Sequence, residues 1–444
     1  MLLEFSTTNF KTFRNTVKFS LQAAPKQTGL DYSVLKKKIR RKTYKGLCSA
    51  VIYGPNAAGK TNLIGAIEIL KSLILRGDIN NLPHANTPNM ALRFLELIPN
   101  SSLDQSEPVL FSVSFIKDGW HINYQLSIDL GLFSMTYSHR KIVEERLFVN
   151  EELIYERHQN DLDFHKLEVL KDFWSDDFND SQKLTFAQSI TKKSLSEVDL
   201  FLVNGFKTIF CPEFVDKILY WFEKQLTVVF RADALRIVKA FRPKDKAEMY
   251  VDEQINEAAK TFGADANQLV YLKDPDSNES TLTSVIVKDG KNPSYIPSEF
   301  YESYGTVRFI NMFPLIVQAL SQGGTLIIDE FDASIHPLAL MNIVNIFHND
   351  EINKFGAQLI FNTHNPIFLN ANLFRRDEIK FIERDSMTHF SSYYSLADFG
   401  TAGRGGVRKN EDYMKNYFVD RYGAINNVDF SELFLHMVNE QAKG

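Results

Sequence analysis

The sequence is short of cysteine, of long apolar runs and of any strong excess of one charge, and each shortage removes a class of protein. Only two of its 444 residues are cysteine. Cys48 and Cys211 lie far apart and form no C-x-x-C, so neither a zinc site nor a disulfide framework is indicated, and both read as reduced thiols. No apolar stretch approaches the ~18 residues that a membrane span needs. The opening MLLEFSTTNFKTF lacks the basic, apolar and small-residue regions of a signal peptide, which makes the cytoplasm the expected location. Sustained heptads are missing too, so no long coiled coil is expected. A net charge of −5 argues against a wholesale electrostatic claim on nucleic acid while leaving room for a local basic patch. What remains is ordinary globular composition, 44% hydrophobic and 24% charged, in a chain long enough for one large domain or two to three smaller ones.

Against this plain background one segment stands out. Gly54-Pro55-Asn56-Ala57-Ala58-Gly59-Lys60-Thr61 is a complete G-x-x-x-x-G-K-T phosphate-binding loop, followed by Asn62. A β-prone run, Ser49 to Tyr53, leads into it, and a helical stretch, Asn62 to Leu75, leads out. In such a loop successive backbone N–H groups curl around phosphates at a helix N-terminus. Lys60 is then the residue to reach the β- and γ-phosphates, and Thr61 the one whose hydroxyl ligates Mg²⁺. A chance glycine-rich turn is the rival reading, and the flanking strand and helix weigh against it.

Along the rest of the chain, Leu2 to Leu21 alternates as an antiparallel hairpin does. The basic run Lys36-Lys-Lys-Ile-Arg-Arg-Lys42 reads as a solvated loop, with contact to nucleic acid or phosphate as the alternative. From Ala91 to Glu156 the pattern is strand-like, and Lys117-Asp118-Gly119 offers a hairpin turn. Between about Asp161 and Lys273 charged and apolar residues mix at helical spacing, which reads as a helical insertion between two halves of a nucleotide-binding domain. Lys273 to Ser280 reads as a loop. After Ser298 strands and helices alternate. Thr325 to Glu330 and Ala357 to Thr363 resemble strands buried on both faces of a parallel sheet, with helices over Val307–Leu320 and Pro337–His348. Ligands of such sheets sit at the carboxyl ends of the strands.

Those strands carry further site candidates. Thr325-Leu-Ile-Ile-Asp329-Glu330 is an apolar strand ending in two acids, the Walker B pattern. Asp329 can hold Mg²⁺ through its water shell, and Glu330 can orient or deprotonate an attacking water. The next strand ends Asn362-Thr363-His364-Asn365, where His364, 34 residues after Glu330, can reach a γ-phosphate and sense its loss. Before a helix stands Glu302-Ser303-Tyr304-Gly305-Thr306-Val307-Arg308, in which the Ser303 hydroxyl and the Gly305 amide make a second phosphate cradle. It can be read as a simple helix cap. It also makes sense as a cradle that closes over nucleotide held by another subunit, giving an ATP-sandwiched homodimer.

Taken in order, the phosphate loop, E-S-x-G-T-x-R, I-I-D-E-F-D-A-S-I-H-P and N-T-H-N resemble the ABC-type ATPases that include RecF and the SMC proteins. More narrowly the chain resembles the AAA15/AAA21 family, relatives of the ATPase half of OLD-family nucleases. Asn9-Phe10-Lys11-Thr12-Phe13 matches that family's opening, and Ser395 to Phe399 and Arg421 to Ile425 match its tail. The resemblance implies an α/β fold: an ABC-type P-loop ATPase head, built of an antiparallel β subdomain and a parallel sheet flanked by helices, with a mainly helical insertion. Residues 1–160 and 274–444 would form the two parts of the head and 161–273 the insertion.

Carried over residue by residue, the family pattern makes Gly54 to Asn62 the Walker A site, Asp329 and Glu330 the Walker B pair, and His364 the switch histidine. Ser303 and Gly305 become the signature contacts in trans. The wider class ends its D-loop in aspartate, where this chain has His336 followed by Pro337, as the narrower family does. Gln105 and Gln125 are the Q-loop candidates. The cofactors implied are ATP and Mg²⁺.

Members of the family often partner effectors in antiviral, abortive-infection defence, and some carry a C-terminal Toprim nuclease. This chain ends 80 residues after His364 without the acids of a metal-dependent nuclease, so a nuclease effector is expected to be a separate protein. In size and in lacking a fused effector it resembles the ATPase component of the two-gene PARIS anti-phage system. The resemblance implies a scaffold that holds a Toprim effector and answers a phage-encoded trigger, with no membrane role. The rival is a RecF/SMC-like ATPase acting directly on DNA, supported by Lys36–Lys42, Arg375-Arg376 and the loop Gly400 to Lys409. A transporter ATPase without its membrane subunit is the remote third reading.

Overall fold

The computed structural model describes residues 1–25, 27–80, 97–132, 140–174, 181–230, 248–273, 280–288, 292–401, 406–408, 411–425 and 429–441. At its centre lies a six-stranded sheet. From edge to edge its strands are Leu226–Val229, Thr325–Ile328, Gln358–Asn362, Ser49–Tyr53, Ile379–Arg384 and Ser391–Ser395. The first five run parallel and the last returns antiparallel. Ser49–Tyr53, Thr325–Ile328 and Gln358–Asn362 are buried along their whole length, as strands covered on both faces must be.

Alternate residues of these strands feed two cores. Ala50, Ile52, Ile327 and Ile360 join the helix Lys60–Arg76 and a large antiparallel sheet on one face. Val51, Tyr53, Leu326, Ile328, Leu359 and Phe361 pack on the other face with the helices Tyr304–Gln322 and Pro337–His348. The period of two in the strands thus sorts each side chain to one layer.

The antiparallel sheet has seven strands, in the order Asp161–Phe164, Glu152–His158, Lys141–Val149, Trp120–Asp129, Val109–Lys117, Leu2–Thr8 and Val17–Ser20. The expected N-terminal hairpin is present, pairing Glu4 with Ser20 through Thr7 with Val17. So is the tight turn at Asp118 and Gly119, both at positive φ (47° and 80°), as a two-residue hairpin requires. Glu145 and Arg157, fully buried 3.7 Å apart, tie this sheet to the following segment. Glu145 accepts from the backbone N–H groups of Phe201 and Leu202, each at 2.8 Å.

Among its described residues the segment 161–273 is mainly helical, as expected, with a few short strands. It holds helical turns at Ser181–Lys193, Leu202–Phe210, Pro212–Tyr220, Trp221–Gln225 and Glu253–Phe262. It also supplies the seventh strand of the antiparallel sheet and, at Leu226-Thr-Val-Val229, an edge strand of the central sheet. Three of its four residues, Thr227, Val228 and Val229, are β-branched and gain more from ladder hydrogen bonds beside the Walker B strand than from a further helical turn. A smaller antiparallel sheet follows: Glu248–Tyr250, Gln268–Lys273, Ser280–Ile286 and Ser294–Pro297. The expected loop 274–279 and much of the Gly400–Lys409 loop lie outside the described residues, as do residues 91–96. The basic run Lys36–Lys42, read as a loop, instead builds a two-stranded ribbon, Val34–Ile39 against Lys42–Leu47, with Arg40 in the turn at φ 51°.

Candidate nucleotide site

The site forms where the phosphate loop leaves the strand Ser49–Tyr53 and starts the helix Lys60–Arg76. Two glycines are dictated by geometry. A Cβ on Gly54 would lie 2.2 Å from the Ile382 carbonyl oxygen. Gly59 sits at φ 113°, and its Cβ would press within 2.9 Å of the Ser391 and Thr12 hydroxyls. Ser391 also donates to the Ala58 carbonyl at 2.5 Å, and Asn62 Nδ2 donates to Thr12 Oγ1 at 3.0 Å. The antiparallel strand Ser391–Ser395 and the turn after Leu2–Thr8 therefore clamp the loop from outside.

Lys60 is buried, and its ammonium donates to the carbonyls of Gly54 at 2.7 Å and Pro55 at 2.9 Å. Burial lowers its pKa to about 8, against the pull of Asp329, Glu330 and Asp332 in the other direction. A buried cation kept below its ordinary range, resting on its own loop, fits a cradle for a polyanion. The cleft around it holds about 170 Å³ and is lined by Asn56 to Asn62 together with Glu330, Asn362 and His364.

Opposite the loop, Asp329 follows the strand Thr325–Ile328 and is buried. Its Oδ1 accepts from Thr61 Oγ1 at 3.2 Å and from Asn362 Nδ2 at 2.5 Å. Thr61 and Asp329 are thus juxtaposed as hard-oxygen donors that would hold Mg²⁺, whose role when bound is to neutralise phosphate charge. Glu330 sits at φ 52°, a left-handed conformation that costs a non-glycine residue about 1 kcal/mol or more. Both its peptide groups are held: its N–H donates to Asn362 Oδ1, and its carbonyl accepts from Arg308 Nη2. Held in this conformation, Glu330 lines the cleft. His364, exposed at the cleft wall, has its pKa lowered by desolvation and then by Lys60, which favours a neutral imidazole.

The motif Ser303 to Arg308 starts the helix Tyr304–Gln322. Ser303 is exposed, and its Oγ accepts from Thr306 N at 3.1 Å as an N-cap. Gly305 is buried against the loop after Walker B, where a Cβ would lie 2.2 Å from the Ser334 carbonyl oxygen. Neither residue lines the cleft of its own chain. Behind them Glu302 accepts from Asp265 N and Ala266 N at 3.2 Å each and from Ser284 Oγ at 3.1 Å, rooting the helix in the smaller sheet. His336 is exposed and caps the helix Pro337–His348. Gln105 and Gln125 both lie away from the cleft, Gln125 hydrogen-bonding Asn123 on the antiparallel sheet.

Three contributors were not marked as site residues by sequence reasoning. Asn362 joins Asp329 and Glu330, Arg308 holds Glu330, and Thr12 buttresses Gly59. Asn362 stands in the N-T-H-N run and Arg308 in E-S-x-G-T-x-R, so the signal was their place inside a motif.

With the geometry assembled, comparison with known proteins adds the family. The model of a family described as "AAA domain, putative AbiEii toxin, Type IV TA system" matches residues 49–370, which is most of the chain. The chain belongs to this AAA_21 family. Its AAA_21 match runs from the phosphate loop to just beyond His364, so the whole cleft lies inside it. No curated protein matches the chain. Among solved structures, similarity extends to the SMC head domain from Thermotoga maritima, at 12% identity and a TM-score of 0.33, covering 89% of this chain and 98% of that one. It extends also to the Smc head domain with an extended coiled coil bound to the C-terminal domain of ScpA from Pyrococcus furiosus, at 11% identity and a TM-score of 0.37, covering 89% and 96%. The AAA_21 head described here is an ABC-type α/β ATPase fold in its own topology, with the phosphate loop and the Walker B acids at the carboxyl edge of one parallel sheet. Among the described residues, no helix is long and apolar enough to cross a membrane.

Proposed function

We propose that this protein binds and hydrolyses ATP with Mg²⁺ in composite sites formed between two copies of the chain. In this reading Lys60 and the loop amides bind the phosphates, Thr61 and Asp329 hold the metal, and Glu330 takes the proton of the attacking water. His364 donates an imidazole N–H to a γ-phosphate oxygen and so registers its presence. The observation that carries the proposal is the outward display of Ser303 at a helix N-terminus, on a head whose own phosphate loop is already complete. Such a terminus favours an anion, and the nucleotide of a second copy supplies one. Arg308 then couples one composite site to the other, since it lies on the helix whose start is lent to the second copy and grips the Glu330 carbonyl of its own chain.

A Glu330→Gln protein should form a dimer with ATP and Mg²⁺ in light scattering and remain monomeric with ADP. Ser303→Arg should abolish that dimer while leaving ATP binding to the monomer intact. A Glu330→Gln protein that stays monomeric with ATP would sink the composite-site reading, and normal hydrolysis by it would sink the assignment of the base.

We further propose that this ATP cycle sets the state of a scaffold in cytoplasmic anti-phage defence, which holds a separate Toprim-type effector and answers a phage-encoded trigger. The support is family resemblance together with the mainly helical segment 161–273, whose exposed residues offer partner surface. Pull-down of tagged Glu330→Gln with ATP after nuclease treatment should return a stoichiometric nuclease partner. No protein partner, with DNA recovered when the nuclease treatment is omitted, would favour direct action on DNA instead.

A further inference from the structure

We infer that the ribbon Val34–Ile39/Lys42–Leu47 is a docking site for the backbone of duplex nucleic acid, at the end of the head opposite the nucleotide. From Lys36 to Leu47 the chain carries seven cations, Lys36, Lys37, Lys38, Arg40, Arg41, Lys42 and Lys45, and not one acid, although the protein as a whole is acidic. The register sorts them. Lys36 faces Lys45 and Lys38 faces Thr43, so these four side chains share one face, and all are exposed. The other face carries Leu35, Ile39 and Tyr44, which pack on Met1, Leu3 and Ile116.

The ribbon is mounted rigidly. A Cβ on Gly46 would lie 2.8 Å from Met1 Sδ, and the Tyr44 ring lies 4.7 Å from that of His121. Lys42 forms an ion pair with Glu151. Among the described residues, no ion pair involves Lys36, Lys38, Arg40, Arg41 or Lys45. Directly opposed like charges weaken a strand pair, so Lys36 and Lys45 carry a cost that a bound polyanion removes.

The chemistry of that face selects among polyanions. Its exposed side chains are Lys36, Lys38, Thr43 and Lys45, with the half-buried Val34 the one partly open apolar group, so it has no apolar surface wide enough to enter a bilayer and no ring on which an unpaired base could stack. A two-stranded β ribbon is of a width that the major groove admits, and same-face lysines recur every ~7 Å along a strand. The outward face itself carries lysines and a threonine, compact donors that suit phosphate oxygens, so the contact is to the backbone. Position settles its relation to ATP. Leu47 leads through Cys48 into the start of the strand Ser49–Tyr53, whose other end carries the phosphate loop. The length of that strand, about 16 Å, separates the two sites, so neither obstructs the other.

The test uses the full chain without nucleotide, which keeps it independent of the ATP proposal. Binding of a fluorescent duplex of about 30 base pairs is measured by anisotropy at several salt concentrations from about 50 mM. The wild-type protein should bind with a steep salt dependence. The combined variant Lys36→Gln, Lys38→Gln, Lys45→Gln should lower the slope of log K against log salt by about 2.7 while leaving basal ATP hydrolysis and the melting temperature unchanged. An unchanged slope in the variant overturns the inference. So does absence of duplex binding by the wild type at the lowest salt. Tighter binding of poly-glutamate or of an unpaired strand than of duplex overturns it as well, by making the partner an acidic protein or single-stranded nucleic acid.

Discussion

The two ends of the central parallel sheet are both rich in polar side chains, yet they are built on opposite terms. At the amino end Gln358 is fully buried and bonded on every side. Its Oε1 accepts from Leu2 N and Thr325 Oγ1, and its Nε2 donates to the carbonyls of Leu2 and Leu47. Beside it Ser49 donates to Glu378 at 2.6 Å and meets His348 Nε2 at 2.9 Å, while Glu378 also accepts from Arg375 N. At the carboxyl end Lys60 leans on its own loop, Glu330 is held in a left-handed conformation, and the cleft between them is open. A buried polar group paired as Gln358 is fastens sheets together, whereas polar groups held in strain around a cleft are poised for a ligand.

Substitutions at the two ends should therefore separate activity from stability. The largest effect is expected for Glu330→Gln, which should lower the turnover of ATP by about 10²–10⁴ while the melting temperature stays within a degree or two. A comparable loss of stability in this variant would erase the contrast. At the other end Gln358→Ala strands several buried backbone groups and should cost about 3 kcal/mol in denaturant unfolding, with ATP affinity of the folded protein unchanged. Asn362→Ala probes the boundary. It frees both Asp329 and Glu330 and should reduce turnover by about tenfold to a hundredfold, more than it changes ATP affinity. Equal losses in affinity and turnover would mean that Asn362 serves binding rather than aim.

The smallest effect is a pH dependence. Burial holds the Lys60 ammonium at about 8, so it is charged below that pH and loses its proton above it. Bound phosphates favour the charged form. ATP affinity measured by titration should therefore be flat below about pH 7 and weaken by up to tenfold per unit above pH 8. Lys60→Met should bind weakly with no such slope.

The carboxyl end was legible in sequence because each of its parts is contiguous. Gly54 to Thr61, Asp329-Glu330 and His364 are runs or spacings that a single strand–turn geometry explains. Arg308 and Asn362 were harder, since their roles depend on hydrogen bonds across 22 and 32 residues of chain. The edge strand Leu226–Val229 was hidden for a similar reason: four residues after a helix carry no period of their own, and only the neighbouring Walker B strand makes them a strand. The basic run misled in another way. Its cations suggested solvent on all sides, whereas the alternate residues Leu35, Ile39 and Tyr44 had already encoded one buried face. The amino-end network left no trace in the sequence at all, because Gln358 reaches 356 residues back to Leu2.

The resting place of the Lys60 ammonium has a calorimetric consequence. Because the loop is folded around its own lysine, a polyphosphate binding there exchanges one set of charge-assisted contacts for another instead of ordering a floppy segment. Titration calorimetry should then find a small heat-capacity change and a modest entropic penalty for nucleotide capture by a single head. The large thermal signature would be reserved for the step in which two heads close and bury surface.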